Sequence, residues 1–242
     1  MRCVRVPALD AIGGLVHGFE QRIGPSGWES RDEARRRAAK TLAPMGRLFL
    51  MKQVHGADVR RAPWDGLPEA DAALAEGPGC LVGVETADCL PVLLVDPRRR
   101  AVAAAHAGWR GTAIGVVRAA VGALLSAGSR AEDLVAALGP SIGRCCYEVG
   151  GDVVAAFEPW GRAFFEPGPR GRPHLDLRAA NARVLVEHGL APERIHHVPD
   201  CTFCQGDRYH SFRREGKGGG RMVNFVGWSL GDDDADAARR RA

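Results

Sequence analysis

Apolar positions along the chain fall into two patterns, helical spacing and short continuous runs. In "TAIGVVRAAVGALLSAG" (residues 112–128), Ile114, Val117, Val121, Leu124 and Leu125 recur at helical spacing and Gly128 closes the run, so a helix is predicted there. "SRDEARRRAAKTLA" (residues 30–43) predicts a second helix, with Ser30 as cap, Glu33 completing a capping box and Pro44 ending it. Further helices are expected over "GDVVAAFE" and over "DLRAANARVLVEHGL", the latter closed by Gly189. Elsewhere the apolar runs are short. "RLFLMKQVHG" (residues 47–56) reads as a strand ending at His55, while "CLVGVETADC", "LPVLLVDP" and "AVAAAHA" read as strands buried on both faces. "LVAAL" and "RIHHV" predict two more, and a last strand follows the glycine-rich "EGKGGGR" loop. Strands and helices mix without a regular β-α-β rhythm. The pattern predicts one mixed-sheet α/β domain over residues 1–230 and a polar, flexible tail over 231–242.

A buried strand has no need of an imidazole at its end, yet "AVAAAHAGWRG" carries His106 there. The preceding "VDPRRRAV" is a turn, with Pro97 suited to the second position of a bend from Asp96 to Arg99. In a simple antiparallel hairpin, Cys89 and His106 each lie seven residues from that bend and face one another. Directly opposed residues have Cβ atoms roughly 4.5–5.5 Å apart, close enough to share a metal ion. His55, before another glycine, is the natural third member. Two histidines and one cysteine suit zinc, with the fourth tetrahedral position open for water or substrate. Copper binds such ligands as a substitute. The plain alternative is a buried thiol and a hydrogen-bonded loop histidine.

Composition narrows the classes. The 242 residues are 45% hydrophobic and 26% charged, with a formal charge of +4, ordinary values for a soluble globular protein. No apolar run approaches the ~18 residues of a membrane span, and the N-terminus lacks a signal-peptide pattern, so a cytoplasmic protein is expected. Arginine clusters at 35–37, 98–100 and 239–241 lack interleaved aromatics, so no nucleic-acid role is expected. The seven cysteines cannot all pair, which favours thiols over a disulfide framework. Cys201-x-x-Cys204 has zinc-knuckle spacing but no second C-x2-C partner.

Taken together, "KQVHGADV", "VETADCLPVLLVDP", "AAHAGWRGTAIGVV", "LGPSIGRCCYEVG" and "DCTFC…YHSFRREG…GR" resemble the bacterial YfiH/YlmD family, also called the laccase-domain or polyphenol-oxidase family. The resemblance runs in order from His17 to Arg221. It implies a four-layer αββα fold similar to the catalytic domain of cytotoxic necrotizing toxins. It also implies a zinc site of His55, Cys89 and His106, the same residues the pattern selects. Its implied activities are purine nucleoside phosphorolysis, adenosine deamination and methylthioadenosine cleavage, with nucleoside and phosphate as partners; another implied role is editing of peptidoglycan precursors. The chain departs from the family's usual "F-x-T-R-x-G-G" run at "FEQRIGPSG", where Arg22 matches but the Thr and the second Gly are replaced.

Phosphorolysis needs an anion site, for which Arg110, Arg22, Arg213 and Arg214 are candidates through their bidentate donors. Deamination needs an activated water and an acid or base, for which Asp88, beside Cys89, is the candidate. Three other readings compete. Cys89 and His106 could form a metal-free hydrolase of amides such as peptidoglycan precursors. Multicopper oxidase chemistry calls for more than the eight histidines present. A closed four-ligand site completed by Cys201 would instead mark a non-catalytic binding module.

Overall fold

The computed structural model describes residues 1–22, 30–169 and 171–230, so the expected tail and the "IGPSG" departure lie outside the described residues. The strands are β1 (Cys3–Val4), β2 (Leu15–Glu20), β3 (Gly46–Phe49), β4 (Val59–Arg61), β5 (Ala72–Glu76), β6 (Gly79–Thr86), β7 (Leu90–Asp96), β8 (Ala101–Ala107), β9 (Val135–Leu138), β10 (Phe165–Pro167), β11 (Pro173–Leu175), β12 (Ile195–His197) and β13 (Met222–Trp228). The helices are α1 (Pro7–Asp10), α2 (Arg31–Leu42), α3 (Trp109–Ile114), α4 (Val116–Ser126), α5 (Gly151–Ala156), α6 (Leu177–Glu187) and α7 (Phe212–Glu215). One sheet runs β1-β2-β13-β6-β3 and a second β12-β9-β7-β8-β5-β4, with β10 and β11 forming a separate pair. Both larger sheets are mixed: β3 with β6, β4 with β5, and β12 with β9 are parallel, and the other pairs are antiparallel.

Side-chain alternation builds the layers. Leu90, Val92 and Leu94 of β7 and Ala101, Ala103 and Ala105 of β8 pack with Val117, Val121, Leu124, Val184 and Leu185 of α4 and α6. The intervening Leu93, Val95, Val102 and Ala104 pack on Phe19, Val82, Val84 and Val226 of the other sheet. That sheet's outer face meets Ala38 and Leu42 of α2 through Leu81, Val223 and Phe225. The order is helix, sheet, sheet, helix, the four layers expected. His106 falls in the row of Val102 and Ala104, so the end of β8 aims it at the seam between the sheets.

Several local expectations hold and others shift. The N-terminus of α2 carries the predicted capping box: Ser30 Oγ accepts from Glu33 N at 3.3 Å, and Glu33 accepts from Ser30 N at 2.8 Å. The helix expected over 112–128 breaks at Gly115, whose φ of +94° divides α3 from α4. Ile114 and Leu125 consequently leave the core, at 62% and 37% exposed. The strand expected over 47–56 runs in the sheet only to Phe49, followed by a single parallel bridge from Lys52 to Glu69. Beyond it the chain leaves the sheet, and His55 adopts a left-handed φ of +63°. The hairpin register is two residues off the expected one. Asp96 accepts from the N–H groups of Arg98 and Arg99, Arg100 turns left-handed, and Asp96 pairs with Ala101. Pro91 is therefore opposite His106, and one step on, Cys89 faces Gly108. An even shift keeps Cys89 on the side of the sheet that His106 occupies.

Candidate metal centre and its cleft

Two features of the backbone assemble the site. β6 belongs to one sheet and β7 to the other, and the chain crosses between them in only three residues, Ala87, Asp88 and Cys89. Asp88 makes the corner with a φ of +88°, a conformation that is costly for a residue with a Cβ. It is held there from several directions. Its carboxylate accepts from Thr202 Oγ1 at 2.6 Å, Ser211 Oγ at 3.0 Å and Arg213 N at 2.7 Å, and its carbonyl accepts from Ile142 N at 2.9 Å. The second feature is the turn carrying His55. Gln53 clamps it to the end of β6, donating to Glu85 O at 2.8 Å and accepting from Glu85 N at 2.7 Å.

Asp71, fully buried just before β5, ties both histidines together. Its carboxylate accepts from the N–H groups of Val54 (3.0 Å), His55 (3.0 Å) and Gly56 (2.7 Å), and lies 2.8 Å from His106 Nδ1. Burial would raise its pKa, but the hydrogen bonds from His106, Gly56 and Val54 hold it below the usual carboxylate range. With Nδ1–H donated to Asp71, the Nε2 lone pair of His106 is left for a ligand or a thiol.

One ligand atom each from His55, Cys89 and His106 lies within 4.8 Å of the others. The two imidazole rings meet edge to face with centroids 4.9 Å apart. Tetrahedral bonds of about 2.0–2.3 Å place donor atoms about 3.3–3.8 Å apart, so closure from within 4.8 Å would seat a divalent ion on the trio. Gly108 makes room for it. A Cβ at that position would lie 2.9 Å from Cys89 Sγ and 3.2 Å from His55 Cδ2. Burial alone would raise the Cys89 thiol; the His106 imidazolium, with hydrogen bonds from His106 and His55, overcomes this and lowers it. The same partners, Cys89 and Asp71, raise His106 against its burial. The donor set, its geometry and the carboxylate behind His106 all fit a divalent metal.

The trio opens into a cleft of about 430 Å³. Trp109, Tyr147 and Phe212 supply aromatic walls, and Arg31, Arg110, Arg213 and Arg221 a cationic rim. The Arg110 guanidinium lies over the Trp109 ring, 4.3 Å from its centroid, and makes no side-chain hydrogen bond among the described residues. Arg213 donates to Glu148 O at 3.0 Å and lies over Tyr147. Arg22, in contrast, reaches Gly206 O and Glu215 outside the cleft lining, and Arg214 spends its guanidinium on the carbonyls of Thr202, Phe203 and Tyr209. The structure thus brings His55, Cys89, His106, Asp88, Arg110 and Arg213 to one cleft and leaves Arg22 and Arg214 beside it. Asp71, Gln53, Tyr147, Arg31 and Arg221 were not singled out by sequence reasoning. A lone aspartate before "AALAE" carries no motif, and the arginines come from distant segments.

Comparisons with known proteins identify the family and the fold. Over 257 residues the chain is 32% identical to a protein named purine nucleoside phosphorylase YlmD from Geobacillus stearothermophilus, covering 94% of this chain and 93% of that one. It is 38% identical over 176 residues to a protein named adenosine deaminase RL5 from an unidentified prokaryote, covering 70% of this chain and 65% of that one. The crystal structure of YlmD from Geobacillus stearothermophilus superposes with a TM-score of 0.81 at 30% identity, covering 90% of this chain and 93% of that one. Residues 29–229, which carry every element of the cleft, match the family described as multi-copper polyphenol oxidoreductase laccase, and the chain belongs to that family, the YfiH/YlmD proteins.

Proposed function

We propose that this cleft is the active site of a zinc-dependent purine nucleoside enzyme that splits nucleosides with phosphate and also deaminates adenosine. The observation that carries the reading is the convergence of His55, Cys89 and His106 beneath a cleft with aromatic walls and an arginine rim. The relatives' names as purine nucleoside phosphorylases and an adenosine deaminase support it. Trp109, Tyr147 and Phe212 suit a flat heterocycle, and Arg110 and Arg213 suit phosphate through planar, bidentate donors. Zinc held by His55, Cys89 and His106 would supply Lewis acidity at the cleft floor. Asp71 orients His106 and fixes which ring nitrogen carries the proton. Asp88 already accepts three hydrogen bonds, which favours a positioning role: it locks the backbone of Arg213 to the corner beside Cys89. Copper at the same ligands would be a substitute.

A second reading has its own observation. Asp71, His106 and Cys89 are in sequence a carboxylate, an imidazole and a lowered thiol, the arrangement of a cysteine hydrolase acting on amides. Adenosine turnover with phosphate, before chelation, after it, and after zinc is restored, separates the two. Adenine or inosine formation that falls and returns with zinc supports the nucleoside enzyme. Chelator-resistant amide hydrolysis lost in Cys89→Ser, with no nucleoside turnover, supports the hydrolase.

A further inference from the structure

A second cluster of sulfur lies outside the cleft. β9 and β12 are parallel neighbours, so the loops that follow them leave the sheet side by side. Ser141 bridges to Cys201, and Thr202 N donates to Ser141 O at 3.1 Å. This pairing brings Cys145 and Cys146 of one loop against Cys201 and Cys204 of the other. All four Sγ atoms lie within 4.8 Å of one another, with Cys146 at 3.3 Å and Cys145 at 3.8 Å from Cys204. Each of the four is a free thiol.

The spacing discriminates between two fates for these sulfurs. A disulfide needs sulfurs about 2.05 Å apart and uses them in pairs. Four thiolates around a tetrahedral zinc, with bonds of about 2.3 Å, stand about 3.8 Å from one another. The cluster's separations, 3.3 and 3.8 Å to Cys204 with all four sulfurs within 4.8 Å, lie nearer the second spacing than the first. Its surroundings also suit a thiolate centre. Gly143 N donates to Cys201 Sγ at 3.2 Å, and a Cβ on Gly143 would lie 3.1 Å from Cys145 Sγ and 3.5 Å from Cys201 Sγ, so glycine leaves the cradle open. The half-buried Arg178, whose Nε has no hydrogen-bond partner among the described residues, places positive charge near Cys145 and Cys201. Four thiolates on a divalent ion carry net negative charge, which a neighbouring guanidinium offsets.

We propose that Cys145, Cys146, Cys201 and Cys204 form a second, closed metal site that binds zinc as a tetrathiolate. The missing partner of the C-x2-C spacing at Cys201 is the adjacent pair Cys145 and Cys146, supplied by the fold. The site clamps together the two walls of the cleft. The first loop delivers Ile142 and Tyr147 to it; the second leads to Ser211, Phe212 and Arg213 and supplies Thr202 to Asp88. With all four positions filled by protein, the ion leaves no open position for substrate, so its role is structural.

The test is metal content per chain, with cobalt substitution as an optical readout. Protein lacking the cleft site, Cys89→Ser with His55→Ala, should retain about one zinc per chain, and its cobalt form should show the intense thiolate-to-metal charge transfer of four sulfurs. Adding Cys145→Ser and Cys204→Ser should abolish both. If the first variant holds no metal, or keeps it when the two cysteines are replaced, the proposal fails. Disulfides among these four cysteines in freshly purified protein would also overturn it. Because the readout is taken with the cleft trio reduced to His106, it stands or falls separately from nucleoside turnover.

Discussion

Asp71 Oδ1 lies 2.8 Å from Nδ1 of His106 and also accepts the backbone N–H of His55 at 3.0 Å, so one buried oxygen sets the position of two proposed ligands. Asp71→Asn preserves shape but removes the charge and turns a donor toward donors. Zinc affinity at the cleft site should fall by about 10–100-fold, as for other losses of a carboxylate behind a metal-bound histidine. Competition against a chelator of known affinity measures it. The fold should lose about 2 kcal/mol from the unpaired N–H groups, read by denaturant unfolding.

Gly108→Ala separates the site from the fold. The backbone there has a φ of −70°, comfortable for alanine, so no conformational penalty arises. The added methyl would meet Cys89 Sγ at 2.9 Å and His55 Cδ2 at 3.2 Å. Metal retained at the cleft site should drop sharply while Tm changes little. Equal loss of both would show that the glycine serves the fold.

Arg110 and Arg22 should behave differently. Arg110→Ala removes a rim guanidinium free to meet an anion and should lower kcat/KM for phosphate by about 10–100-fold, the worth of a charged hydrogen bond. Adenosine deamination, which needs no phosphate, should change far less. Arg22→Ala should act on stability through the lost contacts to Gly206 and Glu215, with little effect on phosphate KM.

His17 gives the fold a defined acid sensitivity. The side chain is fully buried, and Nε2 accepts from Val6 N at 3.0 Å, so the ring is neutral. Burial, reinforced by Arg5 and only partly opposed by Asp10, lowers its pKa from the ordinary 6.5 to about 4. Between those values the unfolded chain binds a proton that the folded chain does not. Stability contributed here is full above pH 6.5 and declines as pH falls toward 4, by up to about 3 kcal/mol. Unfolding free energies of His17→Gln should vary less over that window than those of the parent; identical slopes would assign the acid loss elsewhere.

Much of this was legible in the sequence, for physical reasons. The capping box at Ser30 and Glu33 is a local rule and appears as expected. Short, continuously apolar runs marked β7 and β8 as strands buried on both faces, and the glycines following His55 and His106 marked places where backbone or ligand comes close. Other features depend on contacts between distant segments. The helix break at Gly115 overrides a periodicity that looked continuous, and the wider turn at Asp96 moves the hairpin register by two. Asp71 could not be seen because its role arises only when β5 lies beside β8. The four-cysteine cluster was half visible, since only parallel pairing of β9 and β12 brings its halves together.

The three-residue crossing from β6 to β7 has a consequence for how activity and stability are linked. Cys89 hangs from the span between the sheets, while His106 lies in β8 of the second sheet and Asp71 immediately precedes β5 of the same sheet. A small slide of one sheet over the other therefore changes the bite of the ligand trio before it breaks any strand pairing. Enlarging Ala104 or Val84, buried in the seam and not among the residues that line the cleft, should detune the proposed metal centre. Metal affinity becomes a gauge of how well the two sheets are seated.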